Sequence, residues 1–485
     1  MKLISGALVL TSSAAAPEAL DVLIEGGRIV DLVPRGKIAG EGIERVDAAG
    51  MALIPGLVNG HNHAQTHLAK GQFDRYTLET YLNQMPWASG RRTLEDKHLS
   101  SLIGAAEMIS KGCTAGYDMF AEFPLPSAEG VEAVARGYAD AGMRAVIAPM
   151  MADRSFYEAI PGLAEALPEP LRAQALAARN APHSESIAAC RWILAGWKFD
   201  RAAIRPALGP TIPHHCSDDF LVACRDLAKE QDLGLQMHVA ESRMQTVVAK
   251  KIYGRSLVAH LDELGLLNPR FCVAHGVWLD PEDRKRLAVA GASVSHNPGS
   301  NLKLGSGIAD MRAMLEAGIN VAIGTDGSAS ADNLNVFEAM RLAAGLSRVQ
   351  AHAPENWVSA REALYAGTEG GAKALGLAKT GRIAKGWNAD LVLLDLAALH
   401  YVPLNDLVLQ IVFGEDGTGV HSVMVGGRWV LRERRLLTID VARLRRDADA
   451  AVERLSAANA EARALSQKLH PYVGHFCSGL SRAAP

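Results

Sequence analysis

A chain of 485 residues, 49% hydrophobic and 21% charged, has an ordinary globular composition and is long enough for one large barrel plus smaller appendages. Its 50 Lys and Arg against 53 Asp and Glu leave a net charge of −3, and no Lys/Arg-rich run marks a surface for nucleic acid. The six cysteines form no CxxC pair, which argues against a disulfide framework and for a reducing, cytoplasmic setting, and no apolar run is long enough to span a bilayer.

In chain order, Met1-Lys2 and the apolar stretch before Thr11–Ala16 admit two readings, a short signal peptide or a β-strand over Leu3–Leu10. A single Lys and a short apolar run favour the strand. A second strand is expected around Asp21–Ile24, and Gly26-Gly27 supplies the turn into a third at Arg28-Ile29-Val30-Asp31. From Gly56 the rhythm changes to short apolar runs separated by helical stretches such as Leu99–Lys111 and Asp218–Gln231. The predicted strands are Leu53–Gly60, Thr114–Met119, Arg144–Met151, Ile204–Ile212, Leu233–Val239, Phe271–Val277, Ala292–His296 and Asn320–Thr325. Eight strands alternating with helices predict an α/β fold, a (β/α)8 TIM barrel over residues 56–380. The β-rhythm returns at Gly381-Arg382-Ile383, Ala389–Leu394 and Val420–Val430, so residues 1–55 and 381–438 are expected to form a small β-sandwich domain from both chain ends. Residues 439–485 read as a helical tail, with a surface or interface helix near Val441–Gln467 that carries no chemistry.

Barrel active sites are built at the C-terminal ends of strands. The first strand ends in His61-Asn62-His63, where alternation puts both imidazoles on one side. The fifth ends in His238-Val239-Ala240-Glu241, the sixth in His275, the seventh in Ser295-His296 and the eighth in Asp326. Any one such His is a common structural residue, but a His-x-His pair suits a divalent ion of borderline softness. Burying the whole set unpaired would cost on the order of 1–3 kcal/mol for each group, whereas one metal satisfies them together.

The chain resembles the amidohydrolase superfamily in Pro55-Gly56-Leu57-Val58-Asn59-Gly60-His61-Asn62-His63, His238-Val239-Ala240-Glu241, Ser295–Asn301, Gly324-Thr325-Asp326-Gly327 and Ala389-Asp390-Leu391. It is most similar to the cytosine-deaminase-like branch, which acts on nucleosides, nucleobases and s-triazines. The resemblance implies that His61, His63, His238 and Asp326 hold one divalent ion, zinc with iron as the alternative. The fourth strand ends without a lysine, which fits a mononuclear site. In the implied mechanism Asp326 takes a proton from water, Glu241 carries a proton to a ring nitrogen and the leaving group, and His275 steadies the nucleophile or oxyanion.

For substrate contacts the same resemblance offers Gln65, in Gln65-Thr66-His67-Leu68-Ala69-Lys70-Gly71, Trp87 and one of His214 and His215, with His214 preferred. Two departures count against an adenosine-type substrate. Only Arg154 stands near the position after the third strand where relatives place a carboxylate-binding arginine, and the segment 156–189 is longer than expected. The favoured activity is hydrolytic deamination of an aromatic N-heterocycle. Cleavage of an amide, urea or carbamate by the same site is the alternative, and a non-catalytic relative is a remote third. The partner implied is a small molecule, with a homo-oligomer expected and no nucleic acid or membrane.

Overall fold

A computed structural model describes residues 1–38 and 42–482. Eight parallel strands follow one another in chain order: β1 (Leu57–Asn62), β2 (Cys113–Ala121), β3 (Arg144–Met151), β4 (Ile204–Pro210), β5 (Gly234–Val239), β6 (Phe271–His275), β7 (Ser293–His296) and β8 (Asn320–Ile323). The seam between first and last closes through Asp326 N donating to His61 O at 2.9 Å and Thr325 N donating to Asn59 Oδ1 at 3.1 Å. Both faces of the strands are buried, as parallel sheets require. Ala115, Tyr117 and Met119 of β2 share one core with Val146 and Ala148 of β3 and with Ala372 and Leu375. The residues between them, Phe120, Ala145 and Ile147 among them, pack outward into the larger core under the helices. The predicted helices start where the chain supplies an N-cap: Thr93 opens Leu94–Ser110 in a capping box with Asp96, and Ser217 opens Asp218–Glu230.

The run predicted as one strand, Leu53–Gly60, is divided at Gly56. Met51–Pro55 pairs with Leu391–Asp395 in the second sheet, while Leu57–Asn62 starts the barrel. The break requires a glycine, because a Cβ on Gly56 would lie 2.2 Å from Thr114 Oγ1, and Gly56 N donates across to Asp390 O at 2.9 Å.

The second sheet is mixed and draws on both chain ends: Leu391–Asp395, Val420–Val425, Arg428–Arg432 and Arg435–Leu436 join Met51–Pro55, Leu8–Val9, Glu18–Glu25, Lys2–Ser5 and Glu44–Asp47. It curls around a core of Ile4, Val22, Ile24, Ile29, Leu53, Leu391, Leu393 and Met424. The segment with two readings is therefore strand, in two pieces either side of Gly6 (φ 91). Gly26 and Gly27, both at positive φ, make the two-residue turn between Glu18–Glu25 and Arg28–Pro34. Buried Asp390 ties the two sheets together, accepting from Arg144 Nε at 2.8 Å and from Gly426 N at 2.7 Å.

The tail is more than a surface helix. It forms two helices, Val441–Ala458 and Ala460–Arg482. The second buries Val473 and Cys477 against Ile160, Leu163, Met244 and Val248, and Leu469 against Leu167 and Ala175. The long segment 156–189 is thus covered by the chain's end. Among the described residues, no helix is long and apolar enough to cross a membrane.

Candidate metal centre and active site

His61 lies in β1, and the backbone stays extended through His63 (φ −137, ψ 99) before turning into the short helix Ala64–Ala69. The two rings stand edge to face with centroids 4.6 Å apart. β5 brings His238, stacked on His63 at 5.2 Å, and the segment after β8 brings Asp326, whose Oδ1 lies 3.3 Å from His63 Nε2 and 3.8 Å from His61 Nε2. Three positions at this rim, Ala240 (φ 53), His275 (φ 77) and Asp326 (φ 64), are left-handed. Each costs on the order of 1–3 kcal/mol and re-aims a side chain that strand alternation alone would not place.

The outer nitrogen of each candidate ligand faces an oxygen. His61 Nδ1 donates to Gln236 Oε1 at 2.7 Å, His63 Nδ1 to Met119 O at 2.7 Å and His238 Nδ1 to Thr211 O at 2.9 Å. Gln236 is oriented in turn by donating its Nε2 to Gly60 O at 3.0 Å. With the proton fixed on Nδ1, each Nε2 presents a lone pair inward. Burial, then the neighbouring His63, pushes the His61 imidazole down to about 3, and burial with its histidine neighbours pushes His238 well down too, so both rings are neutral. His63 Nε2 and His238 Nε2 are 3.2 Å apart, and His61 Nε2 is buried with no partner. Lone pairs turned on one another at that distance repel unless a cation lies among them. The donors of His61, His63 and His238 all fall within 4.8 Å of one another. The residues present fit one divalent metal ion.

Asp326 is held as the anion by two donors, Ser300 Oγ to Oδ2 and Gly327 N to Oδ1, both at 2.6 Å. Glu241 is 2% exposed, and burial, followed by the nearby Asp326 and Glu79 carboxylates, holds its carboxyl well above the usual range. It shares this pocket with Asp326. Between them lies His275, whose Nε2 is 3.7 Å from Glu241 Oε2 and 3.9 Å from Asp326 Oδ2. Its outer nitrogen, Nδ1, faces Asn301 Oδ1 at 2.9 Å and Asn297 Nδ2 at 3.3 Å, and its Nε2 is buried with no partner.

The substrate candidates come from separate segments of the chain. Gln65 is buried with its Oε1 unpartnered. His214 is fully buried with both ring nitrogens unpartnered, whereas His215 packs toward Phe156 and gives its carbonyl to Arg154 N. Trp87 stands in an aromatic cluster: its indole N–H donates to Gln84, its ring lies against Phe73, and Arg463 of the last helix covers it. Sequence reasoning missed Gln236, Ser300, Asn297, Asn301 and Glu79. Gln236 was within reach, since it stands two residues before His238 and shares its side of β5.

The amidohydrolase family model matches residues 52–430. A 5'-deoxyadenosine deaminase of Methanosarcina mazei is 33% identical over 461 residues, covering 94% of this chain and 98% of that protein. A 5-methylthioadenosine/S-adenosylhomocysteine deaminase of Pyrococcus abyssi is 31% identical, over 90% of this chain and 95% of that one. Among solved structures, a zinc-bound adenosine deaminase of Xanthomonas campestris superposes with a TM-score of 0.83 at 29% identity, over 94% and 98% of the two chains. The zinc complex of an atrazine chlorohydrolase from Arthrobacter aurescens gives 0.82 at 25% identity, over 93% and 100%. The chain belongs to the amidohydrolase family.

Proposed function

We propose that this metal-dependent hydrolase of carbon–nitrogen bonds is a zinc enzyme that deaminates the adenine ring of 5'-deoxyadenosine-type nucleosides. One observation carries the reading. Lone pairs of neutral imidazoles meet the Asp326 carboxylate at one point, and the buried carboxyl of Glu241 and the ring of His275 stand beside that point. The curated relatives, deaminases of adenosine derivatives, supply the substrate class. They outweigh the departures noted in the sequence, the lone Arg154 and the long segment 156–189.

His61, His63, His238 and Asp326 would hold the ion, which when bound lowers the pKa of water from near 16 toward about 7. Asp326 accepts a proton from the attacking water. Glu241 donates its proton to the ring nitrogen next to the carbon under attack, so that negative charge does not build on the ring. His275 Nε2 hydrogen-bonds the attacking water and steadies it. Asp326 then hands its proton to the exocyclic amine, the C–N bond breaks with release of ammonia, and the remaining hydroxyl proton returns to Glu241. The unpartnered polar atoms of His214 and Gln65 are the groups offered to the rest of the ligand. Six buried free cysteines support a reducing, cytoplasmic compartment.

The test is ammonia release by zinc-loaded protein from 5'-deoxyadenosine, adenosine, an amino-s-triazine and a phenylurea. Turnover is expected for the adenine nucleosides. Turnover of the urea or the triazine alone would refute the substrate assignment.

A further inference from the structure

We propose that Glu79 is a positioning residue for the proton carrier Glu241, acting through the hydroxyl of Ser242; the inference rests on the deaminase reading above. Glu79 lies on the helix Leu78–Leu82, which opens with a capping box between Thr77 and Thr80. Its carboxylate is 5% exposed and accepts from Ser242 Oγ at 2.7 Å, across 163 residues of chain. Ser242 directly follows Glu241 and caps the helix Arg243–Tyr253, its oxygen accepting from Gln245 N. A carboxylate can only accept, so the Ser242 proton must turn toward Glu79 and its lone pair is left for the helix.

The segment so gripped needs holding. Ala240 is left-handed at φ 53, and the carboxyl of Glu241 must stay within reach of His275. Gln245, fully buried, holds the segment from one side by accepting from Glu241 N at 3.0 Å. Glu79 holds it from the other.

The helix that carries Glu79 is itself fixed from outside. Asn83 at its end is 2% exposed, accepts from Tyr157 Oη at 2.8 Å and donates to Ser466 O at 2.9 Å. Ser466 belongs to the last helix, which also packs Val473 and Cys477 on Met244 and Val248 of the helix that Ser242 caps. The chain's end thus spans both partners of the Glu79–Ser242 bond.

The experiment compares Ser242→Ala, Glu79→Ala, the double variant, Glu79→Gln and Ser242→Thr, each zinc-loaded, for kcat and KM on 5'-deoxyadenosine, zinc content and Tm. Ser242→Ala and Glu79→Ala should each lose about 10–100-fold in kcat, with KM and zinc content unchanged. The double variant should be no worse than the weaker single one, because one interaction is removed once. Glu79→Gln and Ser242→Thr keep an acceptor and a donor, should stay within about threefold of the wild type, and decide the matter if Glu79→Ala does not fold. Wild-type kcat in Ser242→Ala, multiplicative losses in the double variant, or a tenfold loss in Glu79→Gln would overturn the positioning role alone. A wild-type protein that turns over no adenine nucleoside would sink the deaminase reading and this role with it.

Discussion

Gln236→Leu isolates the contribution of an outer hydrogen bond to the metal centre. The side chain is fully buried, similar in volume to leucine, and absent from the candidate ligand set. Its Oε1 accepts from His61 Nδ1 at 2.7 Å and its Nε2 donates to Gly60 O at 3.0 Å. Leucine fills the space but orphans an N–H and a carbonyl. At about 1–3 kcal/mol for each buried orphan, the metal-free protein should lose about 2–6 kcal/mol of stability. His61 is also released to move its proton to Nε2, where it can no longer present a lone pair. Loss of such a partner costs about 10–100-fold in metal affinity, or about 1.4–2.7 kcal/mol. Zinc affinity is read by competition with a chromophoric chelator, and stability by urea unfolding with excess chelator present. The rise in Tm on adding zinc should shrink in parallel, since ligand stabilisation follows the dissociation constant. A folded Gln236→Leu protein that binds zinc within twofold of wild type would refute the reasoning.

Three further outcomes are expected. His61→Ala and Asp326→Ala should each lose both bound zinc and ammonia release, measured by metal analysis and turnover; retained turnover in both would remove the proposed ligand set. In metal-free protein, Glu241→Gln should gain stability over wild type between about pH 5 and about pH 8. The folded Glu241 carboxyl is raised above the unfolded value of 4.5, so its contribution is full below 4.5 and is lost as pH rises toward the folded pKa, whereas glutamine has no such dependence. Equal Tm differences at the two pH values would contradict a raised pKa. Asp390→Ala leaves the Arg144 guanidinium, 11% exposed, without its carboxylate, so it should cost about 3–5 kcal/mol in urea unfolding. Because Arg144 opens β3, at the end of the barrel away from the histidines, kcat per bound zinc should not change.

The sequence made the barrel legible because each strand is a short apolar run, and it made the ligand candidates legible because they sit at strand ends. Arg144–Met151 matches the observed β3 to the residue. Legibility stopped where a residue's role depends on a distant partner. Leu53–Gly60 reads as one strand, yet its first residues pair with Leu391–Asp395, which lies far along the chain, and the rest opens the barrel after Pro55-Gly56. The helix Ala460–Arg482 runs beyond the surface helix read near Val441–Gln467, and its apolar residues match surfaces on the segment 156–189 and on Arg243–Tyr253. Trp87 is offered by the resemblance as a substrate contact, and in the fold Gln84 accepts its N–H while Phe73 and Arg463 pack on its ring.

The four central histidines show most sharply what a sequence withholds. All end strands or directly follow one, all are buried, and nothing in their local sequence shows what fixes each ring. That lies in what stands behind it. Carbonyl or amide oxygens behind His61, His63 and His238 take the Nδ1 proton and turn a lone pair inward. Behind His275 stand the Asn301 oxygen at 2.9 Å and the Asn297 amide nitrogen at 3.3 Å from Nδ1. Asn297 and Asn301 come from the segment after β7, so the orientation of His275 is set by a neighbouring strand's loop. Replacing Asn301 with leucine removes the nearer partner, so kcat should fall while bound zinc is retained, and an unchanged kcat would show that His275 needs no such support.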